Sequence, residues 1–266
     1  MDTEFYKVNG YYLFKRFFDP SVVEEIKYEA QLVFMNQLRA KGLVSNPTET
    51  EYEQALYEFF SEDFPTYSDT GKQCQNLMSL HRLAVSQQIT CQLKQFGIKH
   101  PNINTRPVLY FNSPHLAKIE YYHKTPIHQD WRSMQGSLNS MVVWVPLVDI
   151  PKNLGALEII PGSHLDGLHA CVTDDQHMKM APGEVDDDDF VSVETELGDA
   201  LFFSSFLVHR SGNNTTNNIR WSCHFRYNDL AEQSFIDRGY PYSFLYKPNV
   251  WIVTGKQKRR EEQRIT

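Results

Sequence analysis

Ile219-Arg220-Trp221-Ser222-Cys223-His224-Phe225-Arg226-Tyr227 carries the clearest statement of architecture in the chain. Trp221, Cys223, Phe225 and Tyr227 alternate with Ser222, His224 and Arg226. A period of two marks an extended strand whose sides meet different surroundings. The same texture recurs upstream, at 108–111, 116–122, 140–148, 156–160, 191–193, 200–203 and 206–208. These runs are short, rich in Val, Ile, Tyr, Phe and Trp, and separated by Gly, Pro and Asn. Many short strands with turn signals predict two packed sheets, as a sandwich or a barrel-like roll.

The first hundred residues read differently. A short strand is expected at 11–14. Asp19-Pro20 then offers a helix N-cap followed by proline at the first helical position. Val22, Val23, Ile26, Ala30, Val33, Phe34 and Leu38 recur at helical spacing up to Gly42. Further helices are expected at 49–61 and at about 75–96, the last stopped by Gly97. Without internal repeats or a Gly/Ser linker, 1–266 reads as one domain that is mainly β with packed helices. Residues 1–100 form a mostly helical support on one side, 101–230 the β core, and 231–266 a C-terminal extension. The stretch 177–189 lacks periodicity and ends in four aspartates, which reads as a surface insertion. Its spacing lacks the alternating oxygen ligands and the Gly turn of a calcium loop. A lid role over a substrate pocket is the working expectation for it.

Bulk properties narrow the function. The net charge is -7, and the one basic run, Lys256-Gln257-Lys258-Arg259-Arg260, is followed at once by Glu261 and Glu262. Phosphate binding needs clustered cations, so nucleic acid is not an expected partner. No apolar run approaches the length that spans a bilayer, so no membrane role is expected. Met1-Asp2-Thr3-Glu4 has no apolar signal core, and the four cysteines show no C-x-x-C spacing. The expectation is a cytoplasmic protein with free thiols, acting on a small molecule. Composition does not address the oligomeric state.

Candidate chemistry lies in Thr125-Pro126-Ile127-His128-Gln129-Asp130-Trp131. In an extended segment His128 and Asp130 would point to one side and could reach one ion. A second such tripeptide, His164-Leu165-Asp166, follows Pro161-Gly162-Ser163, so the motif alone does not choose between them. A third ligand does. His209 ends the apolar run 206–208, expected as a strand, and Arg220 follows eleven residues on. Two histidines and a carboxylate that leave open positions suit non-haem iron. A guanidinium nearby could clamp a carboxylate. The same donors could instead serve a zinc-type hydrolase or a non-catalytic ligand sensor, although a hydrolase has no use for the Arg220 clamp.

Five ordered matches then resemble one family. They are 125–131, Val143-Trp144-Val145-Pro146-Leu147, and 153–164 from Asn153-Leu154-Gly155 to Gly162-Ser163-His164. The fourth is Gly198-Asp199-Ala200-Leu201-Phe202-Phe203, and the fifth runs from Leu207-Val208-His209-Arg210-Ser211-Gly212 through Arg220 to Phe225. The opening strand at 10–18 matches as well. The chain resembles the phytanoyl-CoA dioxygenase family of Fe(II)- and 2-oxoglutarate-dependent oxygenases. That resemblance implies a double-stranded β-helix, a cupin-like jelly-roll core. It implies Fe(II), 2-oxoglutarate and O2 as cofactors, with His128, Asp130 and His209 as the metal ligands and catalytic centre. Arg220 would pair with the distal carboxylate of 2-oxoglutarate, with Ser211 beside it and Trp144 lining the pocket. Lys118 is the candidate for a further cosubstrate contact, and Lys72 a weaker one. The implied reaction is hydroxylation of an aliphatic C–H, with succinate and CO2 as co-products. Asp130 fills the position that related halogenases leave to a halide. No clear basic patch is present for the phosphates of a CoA ester, which favours a small metabolite or natural-product intermediate.

Overall fold

The computed structural model of the chain describes residues 2–117, 124–173 and 178–243. The alternating stretch becomes β11 (Arg220–Asp229). Along one edge it pairs antiparallel with β4 (Met141–Pro146), from Ser222 opposite Pro146 to Tyr227 opposite Met141. β3 (Val108–Asn112) and β2 (Pro101–Ile103) pair with its two ends along the other edge. Beyond β4 come β9 (Ala200–Ser204) and then β1 (Tyr11–Phe14), which complete a six-stranded antiparallel sheet. A second sheet has the order β10 (His209–Ser211), β5 (Leu157–Ile159), β8 (Val191–Val193). β6 (Cys171–Thr173) and β7 (Met178–Met180) form a separate two-stranded ribbon.

Strand alternation divides the interior in two. Met141, Val143 and Val145 of β4 join Trp221, Cys223, Phe225 and Tyr227 of β11 in a core shared with the helices. Val142 and Trp144 point the other way, into a second core with Leu157, Ile159 and Val193 of the smaller sheet. The polar side of β11 therefore faces the inside of the roll. Arg220, Ser222 and His224 are buried there. Burying polar groups is costly unless they find partners, so this face needs either internal pairing or a ligand.

The helices cover the other side of the large sheet. In α2 (Pro20–Ala40), Asp19 caps the Ser21 amide, and Val23, Ile26, Ala30, Phe34 and Leu38 are buried. Each of the Val, Ile, Phe and Leu burials contributes roughly 1.5–3 kcal/mol. α3 (Glu49–Glu62) opens with a Thr48/Glu51 capping box. The helix expected over 75–96 is broken. α5 (Met78–Ala84) stops at Val85, and Ser86 caps a new helix, α6 (Gln87–Gln95), by accepting from the Ile89 amide. Gly97 follows with φ +92°, the left-handed value that glycine adopts without strain. Two helices of the first hundred residues were not anticipated. These are α1 (Thr3–Asn9), capped by Asp2 and ended by Gly10, and α4 (Phe64–Cys74), capped by Asp63.

Two β expectations need correction. Residues 206–208 are a turn, because Leu207 N–H donates to Ser204 O and Phe206 N–H to Ser204 Oγ. His209 consequently begins a strand instead of ending one. A 3₁₀ turn (Pro114–Leu116) opens the region expected as a strand at 116–122, and 118–123 lie outside the described residues. The described part of the expected surface insertion, 178–189, is partly regular: β7 pairs with β6, Met180 N–H donates to Ile127 O, and a 3₁₀ turn covers Asp187–Asp189. Arg210 joins Glu158 and Asp187 there. The chain continues past β11 into α8 (Gln233–Asp237), while the basic run at 256–260 falls outside the described residues.

Candidate metal centre

His128 and His209 meet through their backbones. Each amide donates to the other's carbonyl, at 3.0 and 3.1 Å. Their rings are fixed in the same manner. His128 Nδ1 lies 2.9 Å from Pro126 O, and His209 Nδ1 lies 2.9 Å from Leu207 O. A carbonyl only accepts, so each Nδ1 carries the proton and each Nε2 presents a lone pair. Burial holds the His209 imidazole pKa down to about 3, so this ring is neutral at physiological pH.

Asp130 reaches the same point by a route that extended geometry does not describe. Its backbone is helical (φ −61°, ψ −29°) and begins α7 (Trp131–Met134). Its Oδ2 lies 3.6 Å from His209 Nε2 and its Oδ1 3.9 Å from His128 Nε2. The three donor atoms lie within 4.8 Å of one another, in the one His/Cys/Asp/Glu cluster of this kind among the described residues. Gln129 points elsewhere and pins the flanking loops. Its Nε2 donates to Gly167 O and Phe206 O, both at 2.7 Å, and its Oε1 accepts from the His169 amide at 2.9 Å.

Sequence reasoning missed Arg226. Its Nε and Nη2 donate to Asp130 Oδ1 at 3.1 and 2.7 Å. Burial alone would push the Asp130 carboxyl up. The adjacent guanidinium, together with the surrounding His209, His128 and His224 imidazoles, outweighs burial and holds the group below the usual carboxylate range. The signal was present in the alternation, since Arg226 shares the inward face with Arg220 and a buried cation needs an anion. His224, on the same face, was also passed over. Its Nε2 is buried without a partner among the described residues, its ring packs against Tyr110, and burial holds its pKa well down.

At the other end of the cavity stands Arg220. Its Nη1 donates to Gly155 O at 2.5 Å and its Nη2 to Ser211 Oγ at 3.2 Å, while Nε is buried without a partner among the described residues. Burial pulls its pKa down to about 10, which leaves it positive at neutral pH. Trp144 is buried, packs in the inner core and also lines the cavity. Lys118 lies outside the described residues. Lys72 is exposed and paired with Asp69 at 2.8 Å, and it does not line the cavity. His164 sits in a 3₁₀ turn with Nε2 3.1 Å from Lys7 O, away from the three donors.

The donor set fits divalent iron: two imidazole lone pairs and one carboxylate on one side of a cavity. Arg220 and Ser211 fit the far carboxylate of a short dioate, which would give the orphaned Arg220 Nε a charged environment.

The model of the phytanoyl-CoA dioxygenase family matches residues 6–222. Human peroxisomal phytanoyl-CoA dioxygenase is 25% identical over 235 residues, spanning 84% of this chain and 66% of the relative's length. The 1-deoxypentalenic acid 11-beta-hydroxylase of Streptomyces exfoliatus is 28% identical over 130 residues, 42% of this chain and 45% of its own. Among solved structures, the epimerase SnoN, in complex with Fe3+, alpha-ketoglutarate and nogalamycin RO, superposes with a TM-score of 0.55 at 21% identity. The match covers 96% of this chain and 95% of SnoN. The carbocyclase SnoK gives 0.57 at 17%, over 89% and 88%. These likenesses agree with the jelly-roll fold. The chain belongs to the phytanoyl-CoA dioxygenase family and is a dioxygenase that uses Fe(II), 2-oxoglutarate and O2.

Proposed function

We propose that His128, Asp130 and His209 hold the iron, that Arg220 and Ser211 receive the distal carboxylate of 2-oxoglutarate, and that Trp144 walls the cosubstrate pocket. The enzyme hydroxylates an aliphatic C–H of a small metabolite or natural-product intermediate, releasing succinate and CO2. One observation carries this reading. A single cavity between the two sheets has the three metal-type donors on one side and a buried guanidinium with its serine on the other. Bound iron and 2-oxoglutarate supply the oxygen activation, and the protein supplies orientation and dryness. The Nδ1 hydrogen bonds keep both imidazoles in the metal-binding tautomer. Val142, Leu157 and Phe203 give the cavity apolar walls that exclude water.

The substrate class rests on charge and on relatives. A net charge of -7 suits a CoA ester poorly, because its phosphates favour a basic surface. The Streptomyces relative is named for hydroxylating 1-deoxypentalenic acid, which favours a natural-product intermediate over an acyl-CoA. No described helix is long and apolar enough to cross a membrane. Among the described residues the four cysteines are free, which supports a cytoplasmic setting, and the acidic charge argues against nucleic acid. We read 1–266 as a single domain.

The test is anaerobic addition of Fe(II) and then 2-oxoglutarate. A weak visible charge-transfer band is expected in the wild type, and none in His128→Ala. A wild type that stays colourless, with no O2-dependent succinate, would sink the proposal in favour of a sensor or a hydrolase.

A further inference from the structure

Arg226 pairs with Asp130 in an unusual way. A guanidinium facing a carboxylate commonly forms a fork, with one donor to each oxygen. Here both donors, Nε at 3.1 Å and Nη2 at 2.7 Å, converge on Oδ1. Oδ2 receives neither, and it is the oxygen that faces His209 Nε2 at 3.6 Å. The carboxylate is thus divided into Oδ1, held by both guanidinium donors with His128 Nε2 3.9 Å away, and Oδ2, which takes no protein donor from Arg226 and faces His209.

The holder is rigidly placed. Arg226 stands opposite Val142 in the register of β11 with β4, and its carbonyl accepts from the Asn104 amide at 2.9 Å. Its side chain is 12% exposed and that of Asp130 4%, so neither swings freely in solvent. A ligand fixed from the middle of a sheet is held more accurately than one fixed from a loop.

We propose that Arg226 is a positioning residue that restricts Asp130 to a single metal-facing oxygen and so keeps a coordination position open for the cosubstrate. This rests on the iron and 2-oxoglutarate reading given above. Carboxylates bind metals through one oxygen or through both. With Oδ1 occupied by two N–H donors, only Oδ2 is available. Two histidines and one oxygen then leave half of an octahedral set to exogenous ligands. Released from Arg226, Asp130 can offer both oxygens, and 2-oxoglutarate must displace one of them. The bland alternative is that Arg226 only neutralises a buried carboxylate. In that case any cation serves.

Arg226→Lys separates the two, because it keeps the charge and loses the paired planar donors. Arg226→Gln removes the charge and keeps an N–H donor. Both are checked for folding by circular dichroism and titrated anaerobically with Fe(II), followed by tryptophan fluorescence, and then with 2-oxoglutarate, followed by the charge-transfer band. The expected result for each variant is Fe(II) binding no weaker than wild type, with 2-oxoglutarate binding weakened by about tenfold or more, a size comparable to the loss of metal affinity or activity when an outer-shell partner is removed. If the Arg226→Gln variant does not fold, the lysine variant decides alone. Arg226→Lys with wild-type 2-oxoglutarate binding overturns the proposal, as does parallel loss of Fe(II) and 2-oxoglutarate. Absence of the band in the wild type removes both the functional reading and this inference. A wild-type band with an unaltered lysine variant removes the inference alone.

Discussion

His128 and His209, 81 residues apart in the chain, exchange both backbone hydrogen bonds across an antiparallel bridge. Their ring centroids lie 4.1 Å apart. The approach of the two imidazoles is therefore enforced by main chain, and the side chains are free to serve as ligands.

From this follows a separation of folding from metal binding. His128→Ala keeps the amide and carbonyl of the bridge, so its Tm should stay within about 4 °C of wild type. Fe(II)-dependent succinate formation should fall by more than about 100-fold, beyond the loss seen when only a supporting residue is removed. Melting curves and a succinate assay on the same preparation check both. A large drop in Tm would mean that the ring is needed for the fold.

Arg220 should act on the cosubstrate and not on the metal. Arg220→Met removes a buried cation that a dioate would pair with. It is expected to raise the 2-oxoglutarate Kd by about 30-fold or more, the lower end of the cost of losing one partner from a buried charge pair. Fe(II) affinity should change little, because the three donor atoms do not contact Arg220. Arg220→Lys should recover only part of the loss, since the fork is gone. Equal loss of both affinities in a calorimetric titration would argue that Arg220 is structural.

Gly212 supports that clamp indirectly. A Cβ added there would lie 2.3 Å from Ala156 O and 3.3 Å from Gly155 Cα. These are backbone atoms of the segment whose Gly155 carbonyl receives Arg220 Nη1. Gly212→Ala should destabilise by about 1–3 kcal/mol, as overpacking does, and should also weaken 2-oxoglutarate binding. Urea denaturation and a binding titration would show both changes. A variant as stable as wild type would mean that this approach relaxes freely.

Asp229 should give the stability curve part of its acid limb. Its carboxylate accepts from the Lys99 and His100 amides at 2.9 Å, and from Asn139 Nδ2 and the Ala231 amide at 3.0 Å. Burial pushes its pKa up, and these four bonds more than reverse that, leaving it below the ordinary value. A depressed folded pKa means stabilisation that is full above the unfolded value, near 4, and lost as pH falls through the folded one. Asp229→Asn should therefore cost about 1–3 kcal/mol at neutral pH, with the gap to wild type closing below about pH 4. Denaturant melts across that range test the sign. A gap that widens in acid would contradict it.

Much of the scaffold was legible where one residue acts locally. Asp19-Pro20 marked the start of α2, and the period of two at 219–227 marked β11. The break between α5 and α6 was harder to see, because Leu80, Leu83 and Leu93 still follow a helical period across it. Only the Ser86 cap betrays it. The role of the 206–208 turn was misread because a short apolar run looks alike in a strand and in a buried turn.

The candidate site divides in the same way. His128, Asp130, His209, Ser211, Arg220 and Trp144 could be named from sequence because they stand in ordered motifs. The sequence by itself determined the donor types and the two-faced strand that carries the clamp, since side-chain chemistry and strand period belong to the chain. Only the tertiary structure decided that Asp130 arrives on a helical turn, that His128 and His209 share a bridge, and that Arg226 takes one oxygen of Asp130. Those are distances between residues far apart in the chain, and the packing of two sheets fixes them.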